Sequence, residues 1–254
     1  MCKTYDKESL YLQNNGGSLD LSTRPQFFGL HNAVDWKNNT LTLVKGCLIM
    51  TYLQALDFDH PIFDHLLIDS FSISFWYGTV LNPTALRKFS QHCNTEATTS
   101  FYADDDTIFG ISLPLVCDIF KNVKTLSLRS SDYAYNRWIQ DILRSKKLDL
   151  KEFGIGGRFD KLFSFEPDEI SQLFQAQNSE FRLILYCLDP PADAVMLIRQ
   201  KLGTYFKEFQ YERSGHIDGV LHIQLGDMNN TTRMWFQVVP ETSRVLDNMY
   251  YRSV

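Results

Sequence analysis

A short apolar pattern, L-x-x-L-x-L, recurs along the middle of the 254-residue chain and constrains its fold more than any other feature. Copies begin at Ile68, Val123, Leu150 and Phe181, and a degenerate copy is expected near 98–102. The intervals are 55, 27 and 31 residues, and the longest equals two units of about 27. Residues i+3 and i+5 of such a short strand point inward together, and residue i turns inward from the preceding loop. One strand cannot bury this face alone, so the units must stack on one another.

Helix-type periodicity follows the strand copies. Apolar residues at helical spacing predict a helix within 131–145, and a proline in the first turn marks further helix starts at Pro83, Pro114, Pro167 and Pro190. The alternation of strand and helix from about 66 to 209 predicts an α/β chain with parallel strands. With a repeat period in the high twenties, the predicted architecture is an irregular, leucine-rich-repeat-like strand–helix solenoid.

The C-terminal part of the sequence changes character. Segments 209–213, 220–225 and 233–239 predict the three strands of an antiparallel β meander. Solenoids need a cap that covers the last open edge, so we expect the helix after Pro190 and this meander to provide it. The predicted organisation is an N-terminal segment 1–55, partly loose with at least one strand; a repeat-like α/β region 56–190; and a C-terminal cap 191–254.

Composition limits the environment and the partners of the chain. With 25 Lys and Arg against 30 Asp and Glu, the net charge is -5, which argues against nucleic acid as a partner. The five cysteines are scattered, with no C-x-x-C, as expected for reduced thiols of a cytoplasmic or nuclear protein. The N-terminus is polar and carries no signal peptide. The longest apolar run, 41–56, is too short and too polar for a membrane.

Two acidic loops keep an enzymatic alternative open. The first, 57–69, is the densest group of candidate metal ligands, and carboxylates with imidazoles suit a divalent cation. Its ligand-type residues are Asp57, Asp59, His60, Asp64, His65 and Asp69. The second loop, Asp104-Asp105-Asp106, follows Tyr102 and has the form of a polymerase Tyr-x-Asp-Asp turn, but the chain lacks the accompanying motifs. The alternative function is therefore a metal-dependent enzyme that uses loops 57–69 and 104–106.

Other catalytic motifs are weak. The chain has no G-x-S-x-G, and its Gly154-Ile155-Gly156-Gly157 segment is neither a G-x-G-x-x-G fingerprint nor a P-loop. A wide loop between strand and helix explains these glycines better than a nucleotide site does. We therefore predict no catalytic residue, no metal and no cofactor for the main interpretation.

Residues 110–240 resemble the F-box-associated regions of nematode F-box proteins. The resemblance is carried by the strand 123–128, by Trp138-Ile139 with Leu143, and by the segment 148–155. This segment follows the family's N-L-E-Y-L-x-[IL] arrangement, with Asp149 in place of the Asn and Phe153 in place of a Leu. Arg213 and Asp218-Gly219 form a loose counterpart of the family's C-terminal R-x-D-G strand, with different spacing.

The resemblance implies the substrate-recognition part of an F-box-type ubiquitin-ligase adaptor. The implied partners are a protein target and, through an F-box, a Skp-type adaptor and cullin subunits. Two departures stand out: no F-box is recognisable near the start, and the repeats lack the Asn or Cys that usually follows the strand. The residues at those positions are Trp76, Ser131, Arg158 and Asp189.

A non-catalytic protein-binding module is therefore the predicted function. Stacked strands create a concave face, and strand residues that do not point inward should line it or its rim. These predicted contact residues are Lys124, Thr125, Ser127, Arg129, Lys151, Glu152, Arg182 and Leu183. Trp76 and Tyr77 extend past the end of a strand and are added as aromatic anchors, whereas Phe71 belongs to the core by its place in the pattern.

Overall fold

A computed structural model of the protein describes residues 2–5, 9–16, 18–23, 41–104, 110–146, 149–210, 219–227 and 230–239. The chain forms two units, Met1–Ser130 and Ser131–Val254. Both units combine helices with sheets that contain parallel strands, which confirms the predicted mixed α/β class. The predicted division at residues 55 and 190 stays a prediction.

The first unit contains two sheets. Its elements are β1 (Cys2–Tyr5), β2 (Ser9–Asn15), β3 (Ser18–Ser22), β4 (Leu41–Val44), β5 (Cys47–Thr51), β6 (Leu66–Ile68), β7 (Ser72–Trp76), α1 (Pro83–Gln91), β8 (Ser100–Ala103), α2 (Leu113–Ile119) and β9 (Thr125–Leu128). The larger sheet has the order β9-β8-β7-β5-β2-β3, in which only β2 and β3 are antiparallel among the described strands. Strands β1, β4 and β6 form a second, parallel sheet.

The second unit has one described sheet, of mixed direction. Its elements are α3 (Trp138–Arg144), β10 (Glu152–Gly156), α4 (Phe159–Leu162), α5 (Pro167–Ala176), β11 (Arg182–Cys187), α6 (Ala194–Leu202), β12 (Phe206–Phe209), β13 (Val220–Leu225) and β14 (Thr232–Val238). Strands β10, β11 and β13 are parallel neighbours, and β14 lies antiparallel between β13 and β12.

The core lies on one face of each sheet, where apolar side chains of neighbouring strands are in register. In the first unit these buried partners are Leu48, Ile73, Phe101 and Leu126, taken from β5 across to β9. In the second unit they are Phe153, Leu183, Leu221 and Phe236, taken from β10 across to β14. Burial of each large apolar side chain contributes about 1.5–3 kcal/mol, so this shared face fixes the register of the strands.

Helix starts follow the predicted capping chemistry in the first unit. Asn82 Oδ1 accepts a hydrogen bond from Ala85 N at 2.8 Å and Pro83 is the first helical residue, so α1 begins where the sequence predicts. At α2, Ser112 Oγ accepts from Leu115 N at 3.4 Å. None of the described helices has the length and apolar content that a bilayer span requires.

Two buried hydroxyl groups connect successive strand–helix units of the first sheet. Ser70 Oγ donates to Val44 O at 3.2 Å, and Thr98 Oγ donates to Ser70 O at 3.1 Å. Both donors are fully buried and precede their strands, β7 and β8, by two residues. Buried carbonyl groups need partners. Thr98 Oγ supplies one to Ser70 O, and Ser70 Oγ adds a second donor to Val44 O, which also accepts from Asp69 N at 2.8 Å.

The repeat pattern predicts the inward residues correctly in two copies and incorrectly in two. Phe71, predicted in the core, is 49% exposed because it precedes β7, which begins at Ser72, whereas Ile68 and Ile73 of the same copy are buried as predicted. In the copy that begins at Phe181, Ile184 and Tyr186 should point inward, but Leu183 and Leu185 do, since they pair with Phe153 and Ile155 of β10. Residues 183–186 are all apolar or aromatic, so this strand matches either register.

The predicted meander is wrong in its strand order. Strand β12 is Phe206–Phe209, and it pairs with β14 instead of β13, while β13 runs parallel to β11. Helix α6 stops at Leu202 because Gly203 takes a positive φ of 42°, and a 3-10 turn then leads into β12. The antiparallel pair of β13 and β14 is confirmed; residues 211–218 lie outside the described part of the chain.

The helix predicted within 131–145 covers only Trp138–Arg144. Arg137 precedes it with a left-handed φ of 72°, which interrupts any continuous helix. Ala134 N donates to Gly156 O at 2.9 Å, so the preceding segment bonds to the end of β10 instead. The apolar spacing therefore predicts the helix correctly over the two turns of α3 but overestimates its length at the N-terminal end.

The buried hydroxyl ladder gives a stability prediction. Thr98→Val keeps the shape of the side chain but leaves the buried Ser70 O without its hydroxyl donor, so we expect a loss of about 1–2 kcal/mol in the free energy of unfolding. Thr99→Val is the matched control, since Thr99 Oγ donates to Phe71 O at 3.2 Å in a more exposed position; its loss should stay below about 0.5 kcal/mol. Urea unfolding of both variants measures the difference, and equal losses would contradict the ladder.

Candidate partner-binding surface

The face of the first unit's larger sheet that lies opposite the core is rich in hydroxyl groups; we name it the hydroxyl face. Its rows of cross-strand neighbours are Tyr11, Ile49, Ser74, Tyr102 and Ser127; Cys47, Ser72, Ser100 and Thr125; and Thr51 with Trp76. Six of these positions hold Ser or Thr. Five residues of these rows are buried, namely Ile49, Thr51, Ser72, Ser74 and Ser127, and the others are partly exposed. The partly exposed tyrosine and tryptophan rings, with the hydroxyl groups of Ser100 and Thr125, suit aromatic contact and hydrogen bonding with a protein.

Three predicted contact residues lie together at the β9 end of this face. Thr125 is partly exposed, Ser127 is buried, and Arg129 directly follows the strand. Arg129 Nε donates to Ser127 Oγ at 3.2 Å and lies 3.7 Å from Asp104 Oδ1. Ser127 therefore orients the guanidinium group of Arg129, which remains exposed. Lys124 lies just before the strand and is half-buried.

The ends of β5 and β7 present three aromatic rings. The Trp76 and Tyr77 rings are perpendicular, with centroids 6.1 Å apart, and Tyr77 is 57% exposed. Tyr52, on the neighbouring strand end, is 39% exposed, and its N–H donates to Tyr77 O at 3.0 Å.

Tyr52 and Tyr77 both have a left-handed backbone, with φ of 58° and 43°. This conformation is rare for bulky residues and costs free energy. Such strain concentrates where the surrounding structure holds a side chain in a required position. Here the backbone hydrogen bond from Tyr52 N–H to Tyr77 O joins the two strand ends, and both rings are exposed to solvent.

In the second unit, two of the four predicted contacts face each other. Glu152 and Arg182 are partners in the β10–β11 register, and Arg182 Nη1 lies 3.7 Å from Glu152 Oε2. Lys151 precedes β10 and is exposed. The prediction for Leu183 is wrong: its side chain is 0% exposed, because it lies on the core face between Phe153 and Leu221.

The side of the second unit's sheet that bears Arg182 is named the cationic face. Its cross-strand rows are Glu152, Arg182, Val220, Gln237 and Lys207; Gly154, Ile184, His222, Trp235 and Phe209; and Gly156, Tyr186, Gln224 and Arg233. Within these rows three cations accompany one carboxylate, although the whole chain carries a net charge of -5. The central row is apolar and aromatic, and the flanking rows carry the charges.

His222 lies in the middle of the cationic face. Its imidazole stacks on the indole of Trp235, with ring centroids 3.7 Å apart and an interplanar angle of 1°. Burial first, and then the positive charges of Arg233 and Arg182, lower the pKa of His222 to about 4. The ring is therefore neutral at pH 7, and its Nε2 has no hydrogen-bond partner among the described residues.

The first acidic loop uses its side chains for local structure. Its described polar contacts join Asp57 to Asn14 and the N–H of Gln54, Asp59 to Lys88, Asp69 to Asn94, and His60 Nδ1 to the N–H of Ile62. These partners hold the side chains in separate places, two of them as caps of 3-10 turns. In the described part of the chain, no three His, Cys, Asp or Glu side chains are grouped to hold a metal ion. Asp105 and Asp106 lie outside the described residues.

A groove of about 960 Å³ opens at the carboxyl ends of β10 and β11, where α/β proteins often bind ligands. Gly157 lies in its wall, and its N–H donates to Tyr186 O at 3.0 Å. A Cβ atom at this position would collide with Ala134. The glycine therefore serves close packing between loop and sheet. Arg158 pairs with Asp160 across 3.4 Å at the rim.

Sequence reasoning missed Lys207, His222, Arg233 and Trp235. The signal was present, because the alternation that identifies Leu221 and Ile223 as inward residues also turns the residues between them outward. The alternation along a strand could not show that β14 lies between β12 and β13. This strand order places the missed residues on one face.

The corrected register of β11 predicts opposite effects for neighbouring residues. Leu183→Ala should lower the free energy of unfolding by about 2–5 kcal/mol, because it leaves a cavity in the core. Arg182→Ala should change it by less than about 1 kcal/mol, since an exposed ion pair contributes little. Thermal and urea unfolding compare the two variants. A larger loss for Arg182→Ala would show that Leu183 points outward after all.

His222 predicts a pH dependence of stability. Its pKa is lower in the folded chain than in the unfolded chain, so the unfolded chain binds more protons between about pH 6.5 and 4. Folding stability should thus fall as the pH falls through this window, by about 2 kcal/mol after a discount for solvent screening. Urea unfolding of the protein and of His222→Gln at pH 7, 5.5 and 4 isolates this contribution. The difference in unfolding free energy between the protein and the variant should narrow toward pH 4.

No family model matches this chain, and neither a curated protein nor a solved structure does. The resemblance of residues 110–240 to nematode F-box-associated regions stays a prediction from the sequence.

Proposed function

We propose that this chain is a non-catalytic protein-binding module built from leucine-rich-repeat-like strand–helix units. The observation that carries the proposal is the pair of non-core faces, the hydroxyl face and the cationic face, on which polar and aromatic side chains stand in cross-strand rows. Repeat proteins bind partners through such rows of strand side chains.

The spacing of the core residues supports the repeat interpretation. In the first unit, Leu48, Ile73, Phe101 and Leu126 occupy equivalent places on four parallel strands, 25, 28 and 25 residues apart. The Ser70 and Thr98 hydroxyls make equivalent bonds from one unit to the next. In leucine-rich repeats an Asn or Cys usually follows the strand. This chain lacks that residue, and these hydroxyl groups connect the repeats instead.

The chemistry of the faces favours a protein as the partner. Tyrosine, tryptophan and arginine dominate the binding energy of protein interfaces, and here they include Tyr52, Trp76, Tyr77, Arg129 and Arg182. The charges are of both signs, and hydroxyl groups fill the spaces between them. A polymer of phosphates would need a continuous basic surface instead.

The more specific proposal is substrate recognition for an F-box-type ubiquitin ligase, with a protein target, a Skp-type adaptor and cullin subunits as partners. It rests on the motif around Trp138 and Phe153. Both side chains are fully buried, and Trp138 Nε1 donates to Leu162 O at 3.1 Å. The motif residues thus support the fold, and the target would contact other residues.

A cytoplasmic or nuclear location belongs to the same proposal. None of Cys47, Cys93, Cys117 and Cys187 forms a disulfide. Burial raises the pKa of Cys93 and raises that of Cys187 to about 11, so neither forms a thiolate readily. Inert, buried thiols are compatible with a reducing compartment.

The aromatic strand ends provide the test. Tyr52→Asn with Tyr77→Asn removes both exposed rings, while asparagine tolerates the left-handed backbone at these positions. The double variant and the unmodified chain are used to capture proteins from the native extract, with quantitative mass spectrometry. Purified candidates are then titrated against both. We expect one protein to bind the double variant at least about tenfold more weakly.

Met196→Ala, on an exposed part of α6, is the control and should retain the partner fully. Co-enrichment of a Skp-type adaptor and a cullin would support the ligase assignment. If every captured protein binds both variants as it binds the unmodified chain, the aromatic ends and the faces beside them are not the binding surface. Thermal unfolding confirms that each variant is folded.

A further inference from the structure

The cationic face has a layout that specifies the chemistry of a partner. Its central row runs across the five described strands of the second unit, from Gly154 through Ile184, His222 and Trp235 to Phe209. Trp235 and Phe209 are partly exposed, and the other three residues of the row are buried. Neighbouring strands lie about 4.8 Å apart, so this apolar row is about 19 Å long. An extended chain of about six residues has the same length.

Cations stand on both sides of this row. Arg182 and Lys207 lie in one flanking row and Arg233 in the other, and all three side chains are exposed. Each flanking row lies two residues from the central row along the strands, a separation of about 7 Å. Carboxylates of a chain lying on the central row would reach both rows. Glu152 pairs with Arg182, which leaves Lys207 and Arg233 as the cations farthest from any carboxylate of these rows.

His222 supplies an independent indication of a ligand. Its side chain is only 9% exposed, yet its Nε2 has no partner among the described residues. An unpaired buried nitrogen costs about 1–3 kcal/mol, and a bound backbone or side-chain group would remove this cost. The positive charges of Arg182 and Arg233 act on the same ring.

We propose that the cationic face binds an extended acidic segment of a partner protein, with its apolar side chains on the partly exposed Trp235 and Phe209 of the central row and its carboxylates beside Arg233 and Lys207. The inference rests on the proposed protein-binding function and names the partner chemistry for the second unit. Charge complementarity favours an acidic segment as the ligand, because this face is positive while the chain as a whole is negative. A nucleic-acid strand carries no apolar side chains to cover the central row, and the negative net charge of the chain repels its phosphates.

The probe is a fluorescein-labelled eight-residue peptide in which Asp or Glu alternates with Leu or Phe, titrated with the full-length chain in a fluorescence anisotropy assay. The charge-reversal variant carries Arg233→Glu and Lys207→Glu. It should bind the peptide at least about tenfold more weakly, and binding to the unmodified chain should weaken as salt rises. A matched control, Arg144→Glu with Lys161→Glu, makes the same change of charge on α3 and α4 and should bind as the unmodified chain does.

A second peptide, with Lys in place of each acidic residue, completes the charge swap. It should bind the reversal variant better than it binds the unmodified chain, which a merely unfolded variant could not do. A purely acidic peptide with Ser in place of Leu and Phe should bind more weakly than the probe, because it leaves the central row uncovered.

Three results would overturn the inference: no saturable binding of the acidic probe up to millimolar protein, equal binding to the reversal and control variants, or equally tight binding of a single-stranded oligonucleotide. The capture experiment distinguishes this failure from that of the proposed function. A partner lost by Tyr52→Asn with Tyr77→Asn but kept by the reversal variant would leave the proposed function standing and remove the inference. A partner that neither variant loses would count against both.

Discussion

Register between parallel strands is the constraint on which the rest of this structure depends. In each unit the inward side chains of one strand meet those of the next, as Ile73 meets Phe101 and Phe153 meets Leu183. Because side chains alternate along a strand, a slip by one residue would turn the apolar set to the opposite face. The burial of these side chains therefore determines which residues are left for function.

The same constraint creates the two candidate faces. Once Leu221 and Ile223 are fixed in the core, His222 and Gln224 must point to the other side. On the hydroxyl face the residues left over are mainly Ser and Thr, and on the cationic face they are an aromatic row between charges. The two faces offer different chemistry, so a partner of the first unit need not resemble a partner of the second.

Departures from regular geometry occur beside these faces. Tyr52 and Tyr77 take left-handed backbones at the strand ends, and His222 is buried with no hydrogen bond to its Nε2 from the described residues. Each feature costs free energy that the surrounding core must offset. Local costs of this kind are expected where side chains are held ready for a partner.

The sequence by itself determined the mixed α/β class, the approximate places of most strands, and the capped helix start at Pro83, because these depend on local periodicity and capping chemistry. It predicted Thr125, Arg129, Glu152 and Arg182 as outward residues for the same reason.

Only the tertiary structure decided the rest. The register of β11, and with it the burial of Leu183, follows from pairing with β10, since an all-apolar strand carries no face signal of its own. The placement of β14 between β12 and β13 joins residues far apart in sequence, and local patterns contain no information on such pairing.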